Sequence, residues 1–440
     1  MNNIKLFQDK KIFKLLAITA VAITIIGFLV DLRNTFNYPG TDFRNRVVGA
    51  RLALEGIDPY FFKWQPGLAK TFYDPLDIPT ELVSKLSVPP TVLVIHALFA
   101  KLSYLPQKLI WLGVQWATLL ATVGIFLKTA KSPSIKKLVL AVSFFFANSL
   151  FWRIHINSGQ IYIVYIFLLS IAWILLNKPL KFNELYSGFF VGITASLRPS
   201  FVLFSIPFLI GRKIHFIVGG ILGILSSISI SLLLFGGFVW QRYILCMLVM
   251  IGAVDPNSYP LIDNRLPDIA STIYPQIIEG FNWTIRNPLE LYLYKTSFYD
   301  VLDMFGVSNK RYILAVSFIF FLVLVFICIF RSIAKNKNID RLFLLGVLIC
   351  LVGDFFIPVG RYSYYDVQMI LPMLILATKN NTKQLTNNKI IFVAIAGLLL
   401  SFIGFIVIPQ ALFFSVFMIL FYVVFASFNY IFQNKYVSEN

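Results

Sequence analysis

The chain has 440 residues, of which 58% are apolar, 16% aromatic and only 13% charged, with a mean hydropathy of +0.79. An average soluble domain carries about 25% charge, so a water-soluble globule is excluded. The formal net charge of +18 would suit a nucleic-acid partner, but Lys and Arg gathered on one side of a membrane give the same sum.

Taken in order, apolar runs bounded by polar breaks fall at 13–30, 106–128, 137–152, 161–177, 184–197, 200–211, 214–237, 311–331, 341–358, 366–378, 389–407 and 410–430. A spanning helix needs about 20 residues, so the shorter runs must tilt, pack inside the bundle or join a neighbour. The fold class predicted is an all-α polytopic membrane protein, one integral domain over 1–440 with about 12 transmembrane helices. Lys5, Lys10, Lys11 and Lys14 precede the first run as in a signal peptide, but no small-residue cleavage site follows, so it reads as a retained helix.

Two long connections, 31–105 and 238–310, are assigned to the extracytoplasmic side. In the first, Asp42 takes the N-cap position of a helix over about 43–55. Val47, Val48, Ala50, Leu52 and Leu54 form its apolar side and Arg44, Arg46 and Arg51 its basic side. This predicts an amphipathic juxtamembrane helix on the outer leaflet, its arginines toward lipid headgroups. Gly56 ends it and Asp58-Pro59-Tyr60 turns the chain. The stretch 88–103 opens with Pro89-Pro90 and contains His96 and Lys101, which suggests an interfacial or re-entrant helix.

With both termini cytoplasmic, the inward segments hold 20 of the 38 basic residues and only four of the 20 acids, Asp9, Glu184, Asp340 and Glu439. The basic excess is then an orientation signal, and no nucleic acid is expected as a partner. Sixteen acids lie outside, where the chemistry is expected. Cys246, Cys328 and Cys350 are odd in number and widely spaced, which suggests neither a disulfide framework nor a metal site.

The order of short motifs resembles glycosyltransferase family 87, the polyprenol-phosphate-mannose-dependent mannosyltransferases with the GT-C fold. The matching residues are Asp42-Phe43, Ala50, Leu52, Gly56 and Asp58-Pro59-Tyr60, followed by Val88-Pro89-Pro90-Thr91, Leu105-Pro106 and Trp111. Ser158-Gly159-Gln160 comes next, then Gly188, Gly192, Ala195-Ser196-Leu197-Arg198-Pro199 and Gly211-Arg212-Lys213. The resemblance runs through about 13–240 and more faintly through 350–375. It implies a GT-C bundle in the plasma (inner) membrane, a polyprenyl-phosphate sugar donor entering from the membrane lipids, and a lipid or glycan acceptor.

In that family position Asp42 is the candidate catalytic base, with Asp31 at the mouth of the first span as runner-up and Asp58 as a turn residue. Arg198, Arg153, Arg361 and His155 are candidates for the donor phosphate. An arginine fork matches phosphate oxygens, although Arg198 reads equally as half of a structural ion pair and His155 as a packing histidine. Gln160, Asn157, Tyr60 and Trp283 are candidates for acceptor or sugar contacts. The stretch Arg361-Tyr362-Ser363-Tyr364-Tyr365-Asp366 lacks the histidine often found there in the family. No Asp-x-Asp pair or His/Cys cluster occurs, so transfer without a metal or other cofactor is expected, although folding can assemble ligands that no local motif reveals. A polyprenyl-lipid or polysaccharide flippase and a non-catalytic subunit of envelope glycan assembly are the alternatives.

Overall fold

The computed structural model describes residues 10–254, 274–285, 296–334, 339–356, 361–379, 391–403 and 409–432. All twelve apolar runs carry helix. In chain order the helices are α1 (Lys10–Asn37), α2 (Asp42–Leu54), α3 (Pro90–Ala97), α4 (Tyr104–Thr129), α5 (Pro133–Phe146), α6 (Leu150–Ser158), α7 (Tyr162–Leu176) and α8 (Asn183–Leu197). After a 3-10 turn at Pro199–Ser205 follow α9 (Ile206–Ile210), α10 (Ile214–Met250), α11 (Phe298–Met304), α12 (Lys310–Ala334), α13 (Ile339–Phe356), α14 (Ile370–Lys379), α15 (Ile391–Ile403) and α16 (Pro409–Phe432). Five of these contain stretches long and apolar enough to cross a membrane, or six if the pair α5–α6, bent by 59°, counts as one span. The protein is therefore a helical membrane protein.

Three boundaries differ from the sequence expectation. Helix α1 continues past residue 30 to Asn37, which draws Asp31 into the helix. The break between α5 and α6 falls at Ala147–Ser149, where Ser149 caps α6 by accepting from the Trp152 N–H. Arg153 and His155 therefore stand on a helix, not in a turn. Helix α10 does not stop at residue 237; it breaks at Gly236, whose φ of 75° only glycine adopts easily, and resumes to Met250. The resumed part packs Val239, Tyr243 and Cys246 against Ala50, Tyr60 and Leu93 of the first long loop.

Glycines set the closest helix contact. A Cβ on Gly188 or Gly192 of α8 would strike the backbone of Phe216 or Gly220 on α10, and one on Gly219 or Gly223 would strike Leu185 or Phe189 in return. Without side chains there, the two backbones meet directly, as small-residue repeats allow in membranes.

The prediction that α2 lies open on the leaflet is overturned. Every residue from Phe43 to Ala53 is buried. Arg44 and Arg51 face inward and share Glu279 of the second long loop, each at 2.6 Å. Arg44 also donates to the Tyr73 carbonyl at 3.0 Å and Arg51 to the Ala100 carbonyl at 3.0 Å. The two guanidinium groups hold the Glu279 carboxyl below its ordinary range although burial alone would raise it. The short hairpin β1 (Ile277–Ile278) and β2 (Phe281–Asn282) carries Glu279 at its turn. It clamps the second loop onto the first.

Candidate active site

Helix α2 starts at Asp42 itself, with Thr41 in the N-cap position and no side chain capping the end. The Asp42 carboxylate is thus not spent on its own helix. It lies inside the protein, where burial raises its pKa above the ordinary aspartate range against the opposing pull of Arg46, Tyr364, Lys85 and Gln160. A carboxylate raised in this way is a better proton acceptor than a solvated one, provided it remains ionised at working pH.

Gln160 donates from Nε2 to Asp42 Oδ2. Its orientation is dictated from behind: Arg46, one turn along α2, donates to Gln160 Oε1 at 2.5 Å and to the Gly159 carbonyl at 2.7 Å. Because a guanidinium only donates, the amide oxygen must face Arg46 and the amide nitrogen must face Asp42. Gly159 makes this approach possible. It closes α6 with φ of 66°, and a Cβ there would strike the Phe43 Cβ. The Gln115 side chain donates to the Gln160 carbonyl at 2.9 Å, and Trp111 to that of Gly159 at 3.0 Å. Both residues are thereby fixed.

On the other side of Asp42 an aromatic file leads to the cations. Tyr364 stacks on Tyr365 at 5.1 Å and on Tyr162 at 5.9 Å. Arg198 lies 4.8 Å from the Tyr365 ring centre and 5.0 Å from that of Tyr162. Arg361 lies 5.7 Å from the Tyr365 ring and 3.7 Å from Phe355. Two of the sequence-predicted cations therefore meet across one tyrosine. Each has a carboxylate partner, Asp354 for Arg198 and Asp366 for Arg361, both at 2.6 Å. Neither guanidinium is saturated among the described residues: Arg198 Nη1 and Arg361 Nε and Nη2 are buried there without a hydrogen-bond acceptor. Buried donors of this kind are costly unless something accepts from them.

The sequence model of glycosyltransferase family 87 matches residues 88–353, more than half of the chain. The chain belongs to glycosyltransferase family 87. No curated protein and no solved structure matches it. Within the family-matched part lie Gln160 and Arg198, while Asp42, Asp354, Arg361 and Tyr364 lie outside it. The side chains gathered here thus come from both sides of the family segment.

The other predicted residues of this glycosyltransferase are placed elsewhere. Asp31 is fully buried, pairs with Arg153 at 2.5 Å and accepts from the indoles of Trp116 and Trp152 at 3.2 and 3.3 Å. Arg153 also donates to the Gly27 carbonyl at 2.5 Å and to Asn148, so it holds α1 to α6 away from Arg198 and Arg361. His155 is buried between Trp152 and Tyr162. Asp58 accepts from the N–H groups of Tyr60 and Phe61, making the turn, and pairs with Arg242 at 3.0 Å. Tyr60 is wholly buried with its hydroxyl on the Val88 carbonyl at 2.9 Å, a packing position closed to a sugar. Asn157 lines a cleft of about 390 Å³ with Lys108 and Gln115. Trp283 packs beside Tyr104 and Arg44, and among the described residues its indole N–H has no acceptor. Asp255, Tyr259, Asp263, Asp268, Tyr292 and Tyr294 of the second loop lie outside the described residues. Among the described residues, no group of three His, Cys, Asp or Glu side chains gathers that could hold a metal ion.

Sequence reasoning missed Arg46 and Tyr364. Arg46 was one of three arginines on a predicted basic face, and its spacing from Asp42, one helical turn, was the available signal. Tyr364 was one of three tyrosines in the stretch Arg361–Asp366.

Proposed function

We propose that this glycosyltransferase moves a hexose, such as mannose, from a polyprenyl-phosphate donor to a hydroxyl group of a lipid or glycan acceptor, with inversion and with Asp42 as the base. The reading includes a GT-C bundle of about twelve spans in the plasma (inner) membrane, both termini cytoplasmic and the site on the extracytoplasmic face. The observation that carries it is the Asp42 carboxylate, uncapped, raised in pKa by burial and oriented by Gln160.

Asp42 takes the proton of the acceptor hydroxyl as its oxygen bonds to the anomeric carbon. The bond from that carbon to the phosphate oxygen breaks, and the polyprenyl phosphate leaves with the electron pair as an anion. Arg198 and Arg361 stabilise that anion through the donors that lack protein acceptors, an electrostatic contribution of the kind that dominates many transfers. Asp354 and Asp366 hold the two forks in place. Donor polyprenyl chains lie among the membrane lipids.

The test is transfer of labelled hexose from a polyprenyl-phosphate hexose by purified protein. Asp42→Asn is expected to keep its fold and donor binding and to lose transfer. Undiminished transfer by Asp42→Asn would remove this residue from the mechanism. Glycan analysis of a deletion strain names the sugar and the acceptor.

A further inference from the structure

One side of α2 carries Asp42 toward the aromatic file; an adjacent side opens into a different space. A cleft of about 480 Å³ lies between α2 and the loop that follows it. Its floor is Asn45, Val48, Gly49 and Leu52, successive turns of one helix face. Its walls come from residues 59–86 and from Tyr274. Asn45 stands three positions after Asp42, about 4.5 Å along the axis. The cleft and the carboxylate also share a field: Lys85, which lines the cleft, acts on Asp42, and Asp42 acts on Asp74 within it.

The lining has a definite chemistry. Trp64, Tyr73 and Tyr274 form a ring cluster, with Trp64 4.9 Å from Tyr73 and Tyr73 stacked on Tyr274 at 5.8 Å. Asn45 is only 8% exposed, and among the described residues its side-chain amide has no hydrogen-bond partner. The Tyr274 hydroxyl is likewise buried without one. Asp74, also 8% exposed, receives one bond, from the Leu76 N–H at 3.0 Å. Asp77 by contrast is occupied, holding Lys63 at 2.9 Å and the Lys85 N–H at 3.1 Å. Burial pushes the Asp74 carboxyl up to about 7, so it can accept or donate near neutrality.

We propose that this cleft binds the saccharide part of the acceptor, a neutral oligosaccharide whose ring faces lie on Trp64 and Tyr73 and whose hydroxyls pair with Asn45 and Asp74. An alkyl chain would leave Asn45 and Asp74 unpaired, at the full cost of buried polar groups. An anionic ligand would meet two carboxylates, Asp74 and Asp77, against a single uncommitted cation among the described residues, Lys85, because Lys63 is already paired with Asp77. Apart from Tyr274, the floor and walls precede residue 88, outside the part of the chain matched to the family. The proposal rests on the glycosyl-transfer reading only for the role of the bound sugar.

The experiment titrates the full-length Asp42→Asn protein in detergent, without donor, against mannotriose, maltotriose, cellotriose and chitotriose, with 3′-sialyllactose as the anionic comparison. Binding is read by ligand-observed saturation-transfer NMR. At least one neutral trisaccharide is expected to bind saturably. Trp64→Ala and Asn45→Ala, each added to Asp42→Asn, are expected to weaken it roughly tenfold, while Trp64→Phe, which keeps a ring, retains most of it. Among the described residues Trp64 makes one side-chain hydrogen bond, to the Ala69 carbonyl at 3.2 Å, so its variants test the cleft even where Asn45→Ala does not fold. Absence of binding by all four neutral sugars, preference for sialyllactose, or indifference to Trp64→Ala would overturn the proposal. Saccharide binding by a protein that never transfers would instead sink the catalytic reading and leave the cleft standing.

Discussion

Asp31 and Asp42 lie eleven residues apart on consecutive helices, and both are buried, yet their surroundings are opposite. Asp31 has a guanidinium on one oxygen and two indole N–H groups on the other. Asp42 has neutral hydrogen-bond partners in Gln160 and Tyr364, and the nearby Arg46 is turned to Gly159 and Gln160 instead of forming an ion pair with it. A buried carboxylate with a paired cation is a fastening, because its charge is already answered. One held by neutral donors has no cation to satisfy its charge, which leaves it open to take a proton from a substrate hydroxyl.

The comparison is broken most directly by exchanging each carboxylate for its amide. Asp42→Asn is expected to cost about 10²–10⁴-fold in transfer rate with little change in thermal stability. Asp31→Asn is expected to do the reverse, destabilising the fold by about 3–5 kcal/mol as Arg153 loses its partner, while transfer per folded molecule persists. Thermal unfolding in detergent beside the transfer assay separates the two, and equal behaviour of both variants would erase the distinction.

The acid limb of the rate profile sharpens it. Asp42 works ionised and its pKa in the fold is raised, so activity falls as pH drops through a value above the roughly 3.9 of free aspartate. Gln160 stabilises the charged form. Gln160→Ala therefore moves the limb further up in pH and lowers the neutral rate, by roughly tenfold if the shift approaches one unit above neutrality. A limb that stays in place would mean that Gln160 only packs. The smallest effect belongs to Gly159→Ala, where positive φ and contact with Phe43 cost about 1 kcal/mol or more; it is expected to lower kcat with KM nearly unchanged.

Much of this contrast was visible in the linear chain, and the missing part has a common cause. Asp42 and Gln160 stood out because each sits in a motif shared with the family the chain resembles, Asp42-Phe43 after the first span and Ser158-Gly159-Gln160 before a later one; on local pattern alone Asp42 read as a helix cap. The partners were not visible. Arg153 meets Asp31, Arg198 meets Asp354, and Arg44 and Arg51 meet Glu279 across more than a hundred residues, so no local spacing encodes them. The inward burial of α2 was misread for the same reason: its arginines fit a headgroup pattern until the hairpin around Glu279 covers them. Trp64 and Tyr73 were passed over because two aromatics in a polar loop have no periodicity to betray the cleft they wall.

The glycine contact between α8 and α10 reaches further than packing. Arg198 caps the end of α8, ten residues and about 15 Å from Gly188, and Thr91 pins the same end through the Ser196 carbonyl at 2.6 Å. Helix α8 is thus a lever whose fulcrum is a row of missing side chains, and the height of its charged tip is set where the two backbones touch. A single methyl group at Gly192 would be felt at the guanidinium without altering one atom of the site.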